Sequence, residues 1–389
     1  MFEQLFSQSR LSADKKQVVK QLFESRGFPT KKDENWKYTS LKSWTEKNYV
    51  PASAKGAQIQ VKSTDTYPLV FVNGLFQSHL SQVPKGLHLS VSEDQFQLTD
   101  SISGLGLLAA PTLNLLKIDE NTSFDRPLEI ILISASQAEE ALTGFRLKMS
   151  VGQNSSVAVF ENHIQMGEGA HFIFNEGDYS VGSSSKLEFL QVQDIGKKSF
   201  HFSRNNYAMD LNSNLRTCIM SLGGLQSRSE LDVNFNKMGS SAEVLGIYSL
   251  KDHQQSDHYT NIRHHVGHCQ SHQLYKGLLD GHSKAVFVGG VRIDKDAQKA
   301  NSEQLNKNLL LSSSAEVNSK PELQIYADDV KAAHGSTIGQ LQKEELFYLQ
   351  SRAIKKDKAL NMLSKAFVAD VILRLENKTL IKHAEKSLR

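Results

Sequence analysis

Residues 229–235 read Ser-Glu-Leu-Asp-Val-Asn-Phe, a short run in which apolar and polar residues alternate. Leu231, Val233 and Phe235 take every second position, and the residues between them are polar or charged. Successive side chains of a β-strand point to opposite faces, so this pattern predicts a strand with one buried and one polar face. The segment therefore indicates β-structure in the middle of the chain.

Similar runs recur at short intervals through residues 61–335, with polar turns between them and no convincing long helix. Such short, regularly spaced strands are typical of an all-β sandwich, a barrel or a solenoid. Because no exact sequence repeat is present, a solenoid would have degenerate turns. We favour a β-helix, although a jelly roll fits the periodicity nearly as well. The predicted strands are residues 186–193, 200–209, 229–235, 242–250, 257–266, 272–279 and 284–288.

Residues 1–60 are predicted to form a helical region ahead of the strands. Ser12 is placed to cap a helix, and Gly27 followed by a Phe-Pro pair ends it. An aromatic cluster that includes Trp36 and Trp44 comes next. We interpret these aromatics as residues that pin the region onto its neighbour, and an exposed binding face is the alternative.

Residues 336–389 are predicted to be helical again. A first helix runs through residues 341–349 and ends near Arg352, and Asp357 is placed to cap a second one. Leu360, Leu363, Phe367 and Val371 make an apolar stripe at helical spacing on the second helix. Such a pair of helices either packs back onto the β-domain or offers its stripe to another protein, and composition does not decide between the two.

Composition excludes several classes of protein. The net charge of +3 rests on 45 basic and 42 acidic residues, which does not fit a dedicated nucleic-acid surface. We expect no membrane segment, because the most apolar stretches are far too short to cross a bilayer. The first residues lack the pattern of a signal peptide, and two cysteines in 389 residues favour a reducing compartment. A cytoplasmic location is therefore expected.

Histidines are concentrated in one window of the chain. Imidazole is the commonest neutral nitrogen ligand of borderline metals, and Cys269 adds a thiol within the window. Given regular strands, His258, His264, His268 and His272 could share a face, but no known zinc spacing is present. A polar surface or interface ladder is the interpretation we prefer over a metal site. The histidines of the window are His253, His258, His264, His265, His268, His272 and His282.

The chain lacks the residues to hold an iron–sulfur cluster or a nucleotide by itself. Clusters usually need about four thiolates, whereas Cys218 and Cys269 are the only two cysteines present. No phosphate loop occurs, and the Gly-x-Gly-x-x-Ala run at residues 104–109 has no βαβ unit around it. Any cluster bound here must therefore borrow ligands from a partner.

One segment is far more specific than these patterns. Residues 325–339 read Ile-Tyr-Ala-Asp-Asp-Val-Lys-Ala-Ala-His-Gly-Ser-Thr-Ile-Gly, and residues 346–354 read Leu-Phe-Tyr-Leu-Gln-Ser-Arg-Ala-Ile. Both resemble the C-terminal signature of the SufB/SufD family of iron–sulfur cluster assembly proteins. Residues 297–311 are similar to the family's last β-helix turns. Gly-Phe-Pro at 27–29 and Glu-Asn-Trp-Lys-Tyr-Thr at 34–39 resemble the N-terminal motif of the SufD branch.

The resemblance implies a mainly β protein, a right-handed parallel β-helix flanked by N-terminal and C-terminal helical regions. It implies a SufB-type partner bound side by side through the β-helices and a SufC-type ATPase docked on the C-terminal helices. For that docking we predict Phe347, Tyr348, Arg352 and Leu363. The family also implies reduced flavin as an electron source for the complex, although no residue here locates a flavin site. Without its partner the chain is expected to be able to form a homodimer.

His334 matches the position at which the family places a histidine facing a SufB cysteine at the subunit interface. The resemblance therefore implies that His334 is a ligand of iron, or of a nascent iron–sulfur cluster shared with the partner. Many relatives carry cysteine two residues earlier, where this chain has Ala332. The lack of that thiol favours the SufD side over the SufB side and leaves His334 as the ligand.

The function predicted from these points is a non-catalytic subunit of the Suf assembly scaffold that helps iron entry and cluster formation. Two rival hypotheses belong to other classes. One is a metal-dependent or polysaccharide-acting β-helix enzyme that uses the histidine window. The other is a purely structural scaffold in which His334 has no ligand role.

Overall fold

The computed structural model describes residues 3–61, 63–93, 98 and 100–388. Helices α1 to α7 span Glu3–Gln8, Ala13–Arg26, Lys42–Thr45, Ser101–Ala109, Lys343–Ser351, Lys356–Ile372 and Lys378–Ser387. Strands β1 to β10 span Val50–Pro51, Tyr67–Val72, Leu75–Phe76, Leu87–Ser92, Leu113–Ile118, Leu128–Ala135, Glu140–Val151, Ser156–Met166, Ala170–Val181 and Lys186–Gln193. Strands β11 to β20 span Phe200–Met209, Asn214–Ser221, Gln226–Phe235, Ser241–Leu250, Gln255–His264, Gln270–Leu279, Lys284–Ile293, Asn301–Leu310, Glu316–Ile325 and Lys331–Gln340.

The strands form two facing sheets, and from β5 onward consecutive strands alternate between them. In both sheets each strand pairs in parallel with the strand two places later, as β16 does with β18 and β18 with β20. The result is a parallel β-solenoid of about eight turns. The predicted β-helix is thus confirmed, and the jelly roll, which is antiparallel, is wrong.

The turns between the sheets use residues that tolerate a left-handed backbone. Asn121, Asn154 and Asn212 have φ of 56°, 54° and 53°, and they lie at the tips of turns on one side of the solenoid, with Ser184 at the turn between the last two. Asparagine takes this conformation more easily than most residues with a Cβ atom. The amide of Asn154 also donates to Oδ1 of Asn121 at 3.3 Å, which links one turn to the next.

The N-terminal region packs on the outer face of the odd-numbered sheet. Ser12 caps α2 by accepting from the backbone of Lys15, and Gly27 ends the helix with φ of 62°, as predicted. Trp44 is buried against Phe172, and its indole nitrogen donates to Gln226 at 2.7 Å. Trp36 is also buried. The aromatics therefore pin the region onto the solenoid, as the sequence indicated.

The C-terminal helices pack on the outer face of the even-numbered sheet. Val368, Val371 and Ile372 of α6 are buried in one apolar cluster with residues of that sheet. Helix α5 ends at Ser351, close to the predicted end, but the expected cap of the second helix is wrong. Asp357 lies in the first turn of α6 and Lys355 holds the capping position.

Helix α7 was not predicted from the sequence. Its start is marked by Asn377, whose side chain accepts from the backbone N–H groups of Thr379 and Leu380. Leu380 and Ala384 bury one face of α7 in the same cluster as α6. Among the residues that the structure describes, no helix is both long enough and apolar enough to span a membrane.

Candidate functional site

The two ends of the solenoid differ. At the first turns, β3 and β4 close the sheets by antiparallel pairing with β2 and β5. At the last turn, β19 and β20 are the final strands of their sheets, and no other described strand pairs with their outer edges. Free strand edges carry unpaired N–H and C=O groups and readily accept a strand from another chain. The last turn is therefore an open end.

His334 lies in β20, on this open end, and its side chain is exposed. Its backbone partner in β18 is Gln304, a buried residue that faces the solenoid interior. Residues paired in register on parallel strands have side chains on the same face of the sheet. His334 thus belongs to the inward-facing row of β20, where the interior opens to solvent. Within the described residues its ring has no hydrogen-bond or ionic partner.

The rim around His334 combines polar and apolar side chains. Ser336, two residues further along β20, has its hydroxyl 2.8 Å from that of Ser319 in β19. Ile338 is 51% exposed and Tyr326, just after β19, is 59% exposed. Both side chains are therefore uncovered beside the free edges of β19 and β20.

A single imidazole is an incomplete metal site. Among the described residues no group of three His, Cys, Asp or Glu side chains is close enough to hold a metal ion. Ala332, on the same row as His334, packs against the solenoid core and supplies no donor atom. A metal held at His334 therefore needs further ligands from another molecule.

Neither cysteine supplies a ligand. Cys218 is buried in the apolar cluster beneath α6, where burial raises the pKa of its thiol to about 12. Cys269 is buried in the solenoid core, and burial likewise raises the pKa of its thiol. Thiols bind metals and react as thiolates, so burial disfavours the form of these two side chains that would bind a metal.

The histidines of the window lie in different environments. The prediction that four of them share one face of a sheet is therefore wrong. His258 and His264 lie inside the solenoid, whereas His268 is exposed on a turn. His272 lies on the outer face, where Arg374 donates to its Nδ1 at 3.1 Å. Alternation along the strands is interrupted by turns, so even-numbered spacing in the sequence did not keep these residues on one face.

The remaining members of the window make separate local contacts. Nδ1 of His265 lies 2.7 Å from a carboxylate oxygen of Asp294. His253 and His282 stack with their ring centres 5.1 Å apart, one solenoid turn from each other. These are surface pairs that link successive turns.

The buried histidines predict a loss of stability in mild acid. Burial lowers the pKa of His258 to about 3 and that of His264 to about 4, whereas in the unfolded chain both titrate near 6.5. Below that pH the unfolded state binds more protons, so the free energy of unfolding decreases. We expect a loss of about 1.6 kcal/mol per histidine between pH 6.5 and pH 5. Urea unfolding at a series of pH values measures it.

The control is His258→Phe, which keeps a buried ring and removes one titrating group. Burial raises the pKa of Asp257 and of Glu188, so these carboxyl groups act in the opposite direction as the pH falls. The difference between wild type and variant is therefore the quantity to compare. Equal pH dependence of the two proteins would contradict the prediction.

The predicted docking residues lie on or beside α5. Phe347 is 72% exposed and Tyr348 is 56% exposed. Arg352 donates to the Tyr348 hydroxyl at 2.9 Å and lies over its ring, which holds both side chains in one exposed position. Leu363 of α6 is half-buried and lines a cavity of about 350 Å³ between α5, α6 and the ends of β18 and β20. Three of the four residues are thus exposed on or just after α5, and Leu363 lines the cavity beside that helix.

Family models match two parts of the chain. The model described as "SUF system FeS cluster assembly, SufBD core domain" matches residues 134–367, which is more than half of the chain. The model described as "SufBD protein N-terminal region" matches residues 4–96. This chain belongs to the SufBD family. The resemblance found in the sequence is thereby confirmed.

Curated relatives of the SufBD family align over nearly the whole chain. The SufD iron–sulfur cluster assembly protein of Escherichia coli is 28% identical over 385 residues, which cover 96% of this chain and 91% of the relative. A SufBD family protein of Synechocystis is 27% identical and covers 94% of this chain and 88% of the relative. A chloroplastic protein of Arabidopsis thaliana is 25% identical and covers 94% of this chain and 83% of the relative. The similarity to SufD agrees with the branch predicted from residues 27–39.

The SufBD core match contains the open end and most of the C-terminal surface. His334, Phe347 and Leu363 all fall within residues 134–367. Helix α7 lies beyond that range. Family membership supports a role of this chain in iron–sulfur cluster assembly by the Suf system.

Sequence reasoning missed a row of buried amides inside this SufBD solenoid. Gln273 in β16 and Gln304 in β18 are fully buried and lie in line with His334. Polar residues at strand positions were visible, but the sequence did not say which face was interior. Helices cover the outer faces of both sheets, so apolar residues occur on both sides of many strands.

Proposed function

We propose that this chain is the SufD-type, non-catalytic subunit of the Suf assembly complex. In this proposal a SufB-type homologue pairs with it, a SufC-type ATPase docks on its C-terminal helices, and iron enters where His334 meets the SufB-type subunit. Iron or the nascent cluster is then the cargo of the complex. The observation that carries the proposal is the open last turn, which presents His334 beside free strand edges and uncovered apolar side chains.

The open end supports pairing with another β-solenoid. A second solenoid with its own free edge can continue the hydrogen bonding of β20 and cover Ile338 and Tyr326. Such pairing brings donors from a second chain next to His334, which is what an incomplete site needs. A neutral imidazole then supplies one nitrogen to iron, while thiolate comes from the partner.

The C-terminal helices support a link between the ATPase and the site. β20, which carries His334, ends at Gln340, and α5 begins at Lys343, so the two elements are joined by two residues. A partner bound at Phe347 therefore holds the strand that bears the ligand. If nucleotide binding moves that partner as a rigid body, the short link transmits the movement to the open end.

Reconstitution tests the proposal. Mixed with a SufB-type homologue and a SufC-type ATPase from the same organism, the chain should elute with both, and cluster formation followed by visible absorption should require all three. Ile338→Lys should weaken pairing with the SufB-type subunit roughly tenfold or more, because an ammonium group would be buried without a partner.

The matched control is Met238→Lys, since Met238 is exposed to the same degree, 53%, but lies on a turn away from the open end. This variant should pair normally. Cluster assembly or ATP turnover by the isolated chain would contradict the proposal, and so would normal pairing of the Ile338→Lys variant. If the isolated chain forms a homodimer through the same end, Ile338→Lys should also make it monomeric.

A further inference from the structure

A row of three side chains runs along the inner face of the even-numbered sheet to the open end. Gln273 in β16 pairs in register with Gln304 in β18, and Gln304 pairs in register with His334 in β20. Neighbouring strands lie about 4.8 Å apart, so side chains at paired positions on one face stack directly on each other. Within this row, His334 is the next neighbour of the Gln304 carboxamide.

The amide of Gln304 donates along the row, away from the open end, and the amide of Gln273 donates across the interior to the facing sheet. Nε2 of Gln273 donates to the Thr260 hydroxyl at 2.6 Å. Nε2 of Gln304 donates to Oε1 of Gln273 at 2.5 Å. Both glutamines are fully buried. Each carbonyl oxygen in such a row is available to the following side chain, and that of Gln273 is already taken by Gln304.

The last acceptor of the row has no partner. Oε1 of Gln304 is buried and receives no hydrogen bond. The amide of Gln304 packs tightly against Gly289 of the facing sheet. The contact is so close that a Cβ atom on Gly289 would lie only 2.2 Å from Nε2 of Gln304. A buried carbonyl oxygen without a donor is unfavourable, so it attracts an N–H group in its vicinity. The side chain that follows in the row carries such a group.

We propose that Gln304 is a positioning residue that fixes the tautomer and the orientation of His334. In this proposal the ring of His334 turns from its exposed position toward Gln304, and its inward nitrogen, which carries the proton, donates a hydrogen bond to Oε1 of Gln304. The outward nitrogen then keeps its lone pair and faces the open end. Neutral histidine binds metals through the unprotonated nitrogen, and a hydrogen bond at the other nitrogen determines which one that is.

The proposed tautomer of His334 is a property of the isolated chain and needs no partner. Its effect on iron binding rests on the proposed function, because it needs His334 to be a ligand at the interface with a partner. In that setting a ring held by Gln304 meets the metal in one orientation. A ring without that hydrogen bond would rotate and would present either nitrogen.

Nitrogen-15 NMR of the imidazole ring in the isolated chain tests the tautomer. In the wild type we expect one tautomer of His334 in roughly fivefold to tenfold excess, the bias that one hydrogen bond of ordinary strength produces. Gln304→Leu removes the acceptor and should return the ratio to that of a histidine whose ring makes no hydrogen bond. Gln304→Glu restores an acceptor oxygen at the same place and should restore the excess.

Gln191→Leu is the matched control, since Gln191 is equally buried on β10, far from β20. It should leave the His334 signal unchanged, and circular dichroism verifies that each variant is folded. An unchanged tautomer ratio in Gln304→Leu overturns the proposal. It is also overturned if the ring nitrogen nearest Gln304 is unprotonated in the wild type.

Iron binding by the reconstituted complex distinguishes the positioning role of Gln304 from the ligand role of His334. If both hold, Gln304→Leu should lower iron affinity about 10- to 100-fold, as loss of a partner of a metal-binding histidine does. Gln304→Glu should retain most of the affinity. A changed tautomer with unchanged iron affinity would support the positioning role of Gln304 and count against His334 as the iron ligand.

Discussion

Replacement of His334 by alanine should reduce cluster formation by the reconstituted complex roughly 10- to 100-fold, the loss that follows even when only an outer partner of a metal ligand is removed. The reason is that, within the described strand β20, His334 carries the only imidazole, thiol or carboxylate, since Ala332 supplies no donor atom and both thiols of the chain are buried. Iron incorporation and the visible absorption of the cluster measure the effect.

The same variant should leave the protein and its assembly intact. His334 is exposed, so its removal should change the free energy of unfolding by less than about 0.5 kcal/mol. His253→Ala, on an exposed turn far from the last strand, is the matched control and should assemble clusters normally. Normal cluster formation by an intact complex that contains His334→Ala would exclude the ligand role and favour a purely structural scaffold.

Local patterns in the sequence predicted individual strands well. The bounds of residues 186–193 and 200–209 coincide with β10 and β11, because alternation and turn residues are properties of neighbouring positions. Pairing is not local: Lys186 pairs with Ser156 on one side and with Asn214 on the other. Nothing in a degenerate repeat marks such partners, so periodicity alone left the jelly roll open.

The site was predicted only in part for a related reason. The resemblance pointed to His334, and the structure places that residue on an open end. The histidine window drew more attention because of its density, yet its members lie in the core, on turns and on the outer face. Their environment depends on which face each helix covers. The place of Gln304 beside His334 depends on the strand register, which the sequence does not show.

Replacement of Phe347 by aspartate should weaken binding of the SufC-type ATPase at least about 30-fold, as loss of a central aromatic contact in an interface does. Phe347 is 72% exposed on α5, and a ring of that size left in water indicates a contact surface. Because α5 is joined to β20 by two residues, cluster formation that depends on ATP should fall as well. Pull-down of the ATPase and titration calorimetry measure the binding.

Measurements of folding stability distinguish the loss of the contact with the ATPase from unfolding of the variant. An exposed side chain contributes little to folding, so Phe347→Asp should keep the wild-type circular dichroism spectrum and unfolding midpoint. Val18→Asp changes a similarly uncovered helical residue, 45% exposed on α2, and should bind the ATPase normally. Val371→Asp, in contrast, buries a charge in the cluster beneath α6 and should unfold the C-terminal helices. Unchanged ATPase binding by a folded Phe347→Asp variant would show that the partner docks elsewhere, and the short link between α5 and β20 would then have no part in moving His334.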